Sequence, residues 1–127
     1  MPITELYSST GFIATTTAAV SIAQATPSTA LATSTVYGVF QFVIDANNMV
    51  AGEQYSLALY EKCVTAGTQR LLETWVLDGA QAEPLFVTPS VVLLNGWDFN
   101  VIRVGTSSTT TSTGNTRHLL SSVRQVS

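Results

Sequence analysis

Val91-Val92-Leu93-Leu94-Asn95-Gly96-Trp97-Asp98-Phe99-Asn100-Val101-Ile102-Arg103-Val104 is the stretch on which the fold class turns. Two apolar runs flank Asn95-Gly96, a pair that accepts the positive φ of a tight primed turn, so the stretch reads as a β-hairpin. Beyond the turn Trp97, Phe99 and Val101 alternate with Asp98, Asn100 and Ile102. That period of two puts the aromatic residues on one face of a strand. A hairpin cannot bury such a face alone, so the rest of the chain must supply a second layer.

Working outward from the hairpin, the flanking segments carry the same signature. Thr35 to Ile44 is rich in β-branched and aromatic residues and apolar on both faces, as a central strand should be; it ends at Asp45-Ala46-Asn47-Asn48. Tyr55, Leu57 and Leu59 alternate with Ser56 and Ala58, and Gln69 to Leu77 returns after the turn Thr65-Ala66-Gly67-Thr68, so these two segments form a hairpin. Leu85-Phe86-Val87 precedes Pro89, which is tolerated at a sheet edge or a bulge but not within a central ladder. After Val104 the Ser/Thr-rich segment 105–116 is too polar for a core and reads as a loop, and Arg117 to Val126 is the last strand. The expectation is an all-β, single β-sandwich or open barrel of about seven to eight mostly antiparallel strands. Its core anchors are Phe40, Phe42, Leu57, Leu59, Trp75, Trp97 and Phe99.

The first third of the chain is different in kind. Residues 1–33 are rich in Thr, Ala and Ser, with isolated apolar residues and no helical period, so they read as short strands or as an extended N-terminal arm preceding a sandwich domain over 34–127. No charge occurs from Leu6 to Ile44, yet Ser, Thr, Gln and Pro27 interrupt the apolar residues too often for a membrane span. Met1-Pro2-Ile3-Thr4-Glu5 lacks the basic residues of a signal peptide, which favours synthesis and retention in a cytoplasm.

Charge narrows the function classes. The net charge is −3, and Lys62 is the one lysine. Phosphate backbones and anionic lipid surfaces need clustered Lys and Arg, so neither nucleic acid nor a membrane is an expected partner. Only 10% of the residues are charged, where about a quarter is usual for a soluble domain, which points to a surface partly covered by another chain.

Catalytic chemistry needs a constellation, and its ingredients are sparse. His118 is the sole histidine, and no Gly-x-Ser-x-Gly nucleophile motif accompanies it. Cys63 and His118 are too few for a common structural zinc shell, and Cys63 reads as a small buried hydrophobe. The acidic residues are scattered, with Asp45 and Asp78 at strand ends where an Asx-turn accounts for them. Gly105 to Gly114 lacks the lysine of a phosphate-cradling loop. No enzyme, cofactor or metal site is expected. Tyr55, Tyr60, Trp75 and Trp97 could stack on sugar rings if exposed, but all except Tyr60 share faces with aliphatic neighbours and read as core.

Several local patterns carry a resemblance: Tyr37-Gly38-Val39-Phe40-Gln41, Tyr60-Glu61-Lys62, Gly67-Thr68-Gln69-Arg70, Gln81, Thr88-Pro89-Ser90, Gly96-Trp97-Asp98-Phe99 and Ser122-Val123-Arg124-Gln125-Val126. Over about Val36 to Val126 the chain resembles small structural proteins of tailed bacteriophages, of the capsid decoration or cement type. The family pattern would place a short Gly-Thr-Asp-Arg-like turn before the last strand, where this chain has Gly105 and the Ser/Thr segment. The resemblance implies a non-enzymatic virion protein on the outside of a phage head, with the major capsid protein as partner and a homo-oligomer, a trimer at a capsid three-fold axis, as the working form. A head-tail connector or tail protein is the alternative within the class, and a carbohydrate-binding or adhesion module the alternative outside it. In this reading the partner contact is the uncharged arm, through Ile3, Leu6, Phe12, Ile13, Val20 and Ile22, extending a neighbouring sheet by strand addition.

Overall fold

A computed structural model describes residues 3–12, 19–47, 54–78, 85–103 and 119–127, with the backbone alone described over 9–12. The described residues form an all-β sandwich of two antiparallel sheets. Its strands are β1 (Thr4–Phe12), β2 (Val20–Ser21), β3 (Gly38–Asp45), β4 (Gln54–Lys62), β5 (Gln69–Asp78), β6 (Leu85–Val87), β7 (Val91–Leu93), β8 (Trp97–Arg103) and β9 (Leu119–Gln125). One sheet has the order β1-β9-β3-β6, with β7 also on β3, and the other has the order β2-β8-β4-β5.

Strand alternation explains the core. Phe40, Phe42 and Ile44 of β3 face Trp97, Phe99 and Val101 of β8 and Tyr55, Leu57 and Leu59 of β4, and all are buried. Phe42 stacks on Phe99 with ring centroids 4.3 Å apart, and Trp97 meets Phe40 at 4.9 Å and Phe42 at 5.6 Å. Such offset and tilted pairs add about 0.5–1.5 kcal/mol each to the area they bury. The Trp97 indole Nε1–H donates to Val36 O at 2.7 Å, so its one polar atom is satisfied. Trp75 departs from the expectation of a buried anchor. It is half-buried, set against Phe86 at 6.2 Å and Phe99 at 6.0 Å, because among the described residues β5 is the edge of its sheet, with a neighbouring strand on one side only.

The predicted β4–β5 hairpin is present, paired from Gln54↔Asp78 to Lys62↔Gln69 with a bulge that leaves Leu72 unpaired. Pro89 sits where a missing N–H is harmless. Chain segments β6 and β7 lie end to end along one edge of β3, with residues 88–90 between them. There Thr88 N–H donates to Phe42 O at 3.0 Å and Thr88 Oγ1 accepts from Phe42 N–H at 3.0 Å, so a hydroxyl carries the ladder across the break. Gly38 has φ 148°, and a Cβ there would also press on Gln125 Nε2 at 2.7 Å.

The hairpin expected at Asn95-Gly96 does not form. Strand β7 pairs with β3 in one sheet, while β8 pairs with β4 and β2 in the other, so Leu94-Asn95-Gly96 is a crossing between layers. Gly96 has no positive φ; among the described residues that conformation occurs at Gly38. Four hydrogen bonds fix the crossing. Glu61 Oε2 accepts from the N–H groups of Leu94 (2.7 Å) and Asn95 (3.1 Å), Asn95 Nδ2 donates to Cys63 O at 2.9 Å, and Lys62 N–H donates to Gly96 O at 3.0 Å. The glycine is required by close approach, since a Cβ at Gly96 would collide with Thr33 Cγ2.

Of the two readings of residues 1–33, short strands or an extended arm, the described residues take the first and lie within the sandwich, not outside it. Strand β1 pairs with β9 from Thr4↔Gln125 to Phe12↔Leu119, and β2 pairs with β8 through Val20↔Val101. Val20 and Ile22 are core residues, 5% and 1% exposed, and so are not available to a partner, while Leu6 is partly buried against the core cluster. The reason is that β9 and β8 each leave an edge in the absence of β1 and β2, and the isolated apolar residues of the early chain supply the side chains that close it. Ile3 is exposed as expected, whereas the Phe12 side chain and Ile13 lie outside the described residues.

Candidate functional site

Two features on the outer surfaces stand apart from ordinary sandwich packing: a buried carboxylate on the outer face of the β2-β8-β4-β5 sheet, and a set of exposed apolar side chains on sheet edges.

The carboxylate belongs to Asp98, which lies opposite Tyr60 of β4. Its face should be solvated by strand alternation, yet Asp98, Asn100 and Ser21 are all buried. The segment that follows β2 covers them. Ser21 and Ser28 exchange backbone hydrogen bonds of 2.8 and 3.2 Å, Gln24 Nε2 donates to Ala30 O at 2.9 Å, and Gln69 Nε2 donates to Ala32 O at 3.3 Å, which folds this segment back over β8. Asp98 ties it down. Its Oδ1 accepts from Ser21 Oγ at 2.5 Å, and the carboxylate also accepts from the Asn100 side chain and the N–H groups of Phe99 and Ala32.

Burial pushes the Asp98 carboxyl above the usual range, because desolvation disfavours the charged form; the four hydrogen bonds oppose this without cancelling it. Beside it lies an open concavity of about 280 Å³ lined by Ala19, Leu31, Tyr60, Gln69, Asp98 and Asn100. Because its acceptor atoms are taken by donors of the chain itself, Asp98 works as a latch for the covering segment. Among the described residues no group of three or more His, Cys, Asp and Glu could hold a metal ion.

Exposed apolar residues form the second feature. Tyr37 (68%), Val92 (73%) and Leu94 (63%) border a shallow, mostly apolar concavity of about 420 Å³ with Val39 and Leu93, at the β7 edge of the first sheet. A short strand at an edge, with its outward residues unshielded, is a ready docking surface. The β5 edge of the other sheet exposes Leu71, Leu72 and Val76.

The remaining expected positions divide as follows. Phe40, Phe42, Leu57, Leu59, Trp97 and Phe99 are buried anchors. Asp45 closes the expected Asx-turn, its Oδ1 accepting from Asn47 N–H at 3.0 Å. Cys63 is exposed and not a buried hydrophobe, because it lies past the end of β4 in the turn to β5. Tyr60 is half-buried on the outer face. His118 and the Ser/Thr segment 105–116 lie outside the described residues. Sequence reasoning missed the Asp98 latch and the Val92–Leu94 patch. The one signal for the latch was an acidic residue between Trp97 and Phe99 in a core strand.

Comparison of the chain with protein-family models, with characterised proteins and with solved structures found no match in any of the three.

Proposed function

We propose that the protein is a structural subunit of a virion, a capsid decoration or cement protein that adheres to the outside of a phage head. The observation that carries the reading is the exposed apolar patch Tyr37, Val92 and Leu94 on a chain in which 10% of the residues are charged. Burying such a patch against a coat subunit removes apolar area from water at about 25 cal/mol per Å². Many weakly attached copies on a symmetric shell then hold firmly together. The resemblance over Val36 to Val126 supplies the phage head as the particular assembly. In this reading the contact surface is the β7 edge, in place of an N-terminal arm whose Leu6, Val20 and Ile22 are engaged in the sandwich.

A connector or tail subunit would use the same kind of surface, and location in the particle separates the two. The carbohydrate-binding alternative has less behind it, since Trp97 is buried and Trp75 is held between Phe86 and Phe99.

The test is reattachment to shells that lack the protein, followed by electron cryo-microscopy of the decorated particles. Wild-type protein should decorate the head, and Val92→Asp with Leu94→Asp should abolish decoration while leaving cooperative unfolding intact. Density on the tail, or equal decoration by the variant, would overturn the head reading or its surface.

A further inference from the structure

We infer that the protein forms a two-fold dimer by antiparallel pairing of β5 with β5 of a second copy. Among the described residues, strand β5 is the outer strand of the sheet ordered β2-β8-β4-β5. It presents Leu71, Leu72 and Val76 at 56%, 52% and 57% exposure. Edges of this length are commonly blunted by Lys, Pro, other charges or bulges; Gln69–Asp78 has no Lys or Pro, and what it carries instead is Arg70, Glu73, Asp78 and the bulge at Leu72.

The occupant follows from the order of charges. A two-fold axis that makes two neighbouring strands antiparallel runs normal to the sheet, so it returns every side chain to the face it started on. Residues placed opposite each other must therefore share a face. On a regular strand Arg70 and Glu73 would lie on opposite faces, being separated by an odd number of positions. The bulge changes this. Arg70 pairs with Glu61 and Glu73 pairs with Leu59, and those two β4 residues are two apart, so Arg70 and Glu73 share a face.

Gln69-Arg70-Leu71-Leu72-Glu73-Thr74 is then self-complementary. Set antiparallel to itself about a point between Leu71 and Leu72, it places Arg70 opposite Glu73 of the second copy, Leu71 opposite Leu72, and Gln69 opposite Thr74, each pair occurring twice. Opposite charges and apolar residues directly across a ladder are the favourable cross-strand combinations, and shifting the register by one residue breaks both sets. The same bulge that would otherwise discourage edge pairing is what brings the two charges into register. A sheet continuous across both copies results, with the apolar edge of each covered by the other.

This inference does not depend on the capsid reading, because purified protein alone tests it. Light scattering should give a mass about twice 13.5 kDa. Arg70→Glu places like charges across the ladder, as does Glu73→Arg, and each should raise the dimer dissociation constant by at least about tenfold. Mixed in equal amounts, the two monomeric variants should form a heterodimer, since every pair across the ladder is again opposite in sign. The double variant Arg70→Glu with Glu73→Arg, in which the charges have exchanged places, should dimerise like wild type, and it decides the matter if either single variant fails to unfold cooperatively. A wild-type protein that stays monomeric up to its highest soluble concentration overturns the proposal, as does a dimer unaffected by the single reversals.

Discussion

Ser34 and Trp97 exchange two backbone hydrogen bonds, Ser34 N–H to Trp97 O at 2.7 Å and Trp97 N–H to Ser34 O at 3.0 Å. This bridge occupies the edge of β8 at the point where a hairpin partner would have begun. With Trp97 pairing Glu61 on the other side, the first residue of β8 has no free ladder position for β7, and the chain before Gly96 must leave for the other sheet.

Gly96→Ala separates this crossing from a tight turn. The new Cβ meets Thr33 Cγ2 and two Lys62 carbons at 3.3 Å, so the substitution should cost about 1–3 kcal/mol. Adding Thr33→Ser removes the obstructing methyl group and should recover most of that loss in urea unfolding. A cost caused by backbone strain would survive the second change.

Asp98 predicts an unusual pH dependence. A carboxyl whose pKa is raised on folding binds its proton more tightly in the native state, so it opposes folding above its native pKa, and this opposition fades as pH falls from the native pKa to the unfolded one. Its contribution therefore improves as pH falls through the raised native pKa toward the ordinary carboxylate range near about 4, below which both states are protonated. Asp98→Asn should abolish this component, visible as a changed slope of unfolding free energy against pH. Ser21→Ala removes the 2.5 Å donor and should cost about 1–3 kcal/mol at neutrality, and less in acid. An equal cost at both pH values would contradict the latch.

Thr88 provides a test of the broken edge strand. Thr88→Val keeps the shape but takes away the acceptor for Phe42 N–H, leaving a buried donor unsatisfied at about 1–3 kcal/mol. Thr88→Ser keeps the hydroxyl and should lose much less, by thermal unfolding of the two variants side by side.

Deleting residues 1–33 removes β1, β2 and the core residues Val20 and Ile22. The remainder should show no cooperative unfolding transition by circular dichroism or calorimetry, because two sheet edges and part of the core are lost together. A truncated chain that still unfolds cooperatively would show that the early strands are dispensable.

How much of this was readable in advance differs from residue to residue. The alternation Trp97, Phe99, Val101 and Tyr55, Leu57, Leu59 identifies two core strands, and each is buried on the expected face. Pro89 marks an edge and Asp45 a turn, because the constraints on proline and on the Asx side chain act within a few residues. Arg70 and Glu73 share a face only because Leu72 bulges, which a strict period of two reads the other way.

The sequence by itself determined that the chain is all-β, where most strands run and, Trp75 apart, which aromatic residues form the core. These follow from the pleat, whose two-residue repeat is a local property of the backbone. Only the tertiary structure decided that Asn95-Gly96 joins two layers, that Val20 and Ile22 close the core, and that Asp98 is buried beneath a segment anchored by Ser21. Each of those outcomes rests on partners far apart in sequence, Glu61 for Leu94, Val101 for Val20 and Ser21 for Asp98. Asn-Gly tolerates a primed turn without enforcing it, so the competition among distant edges and donors settled which conformation it took.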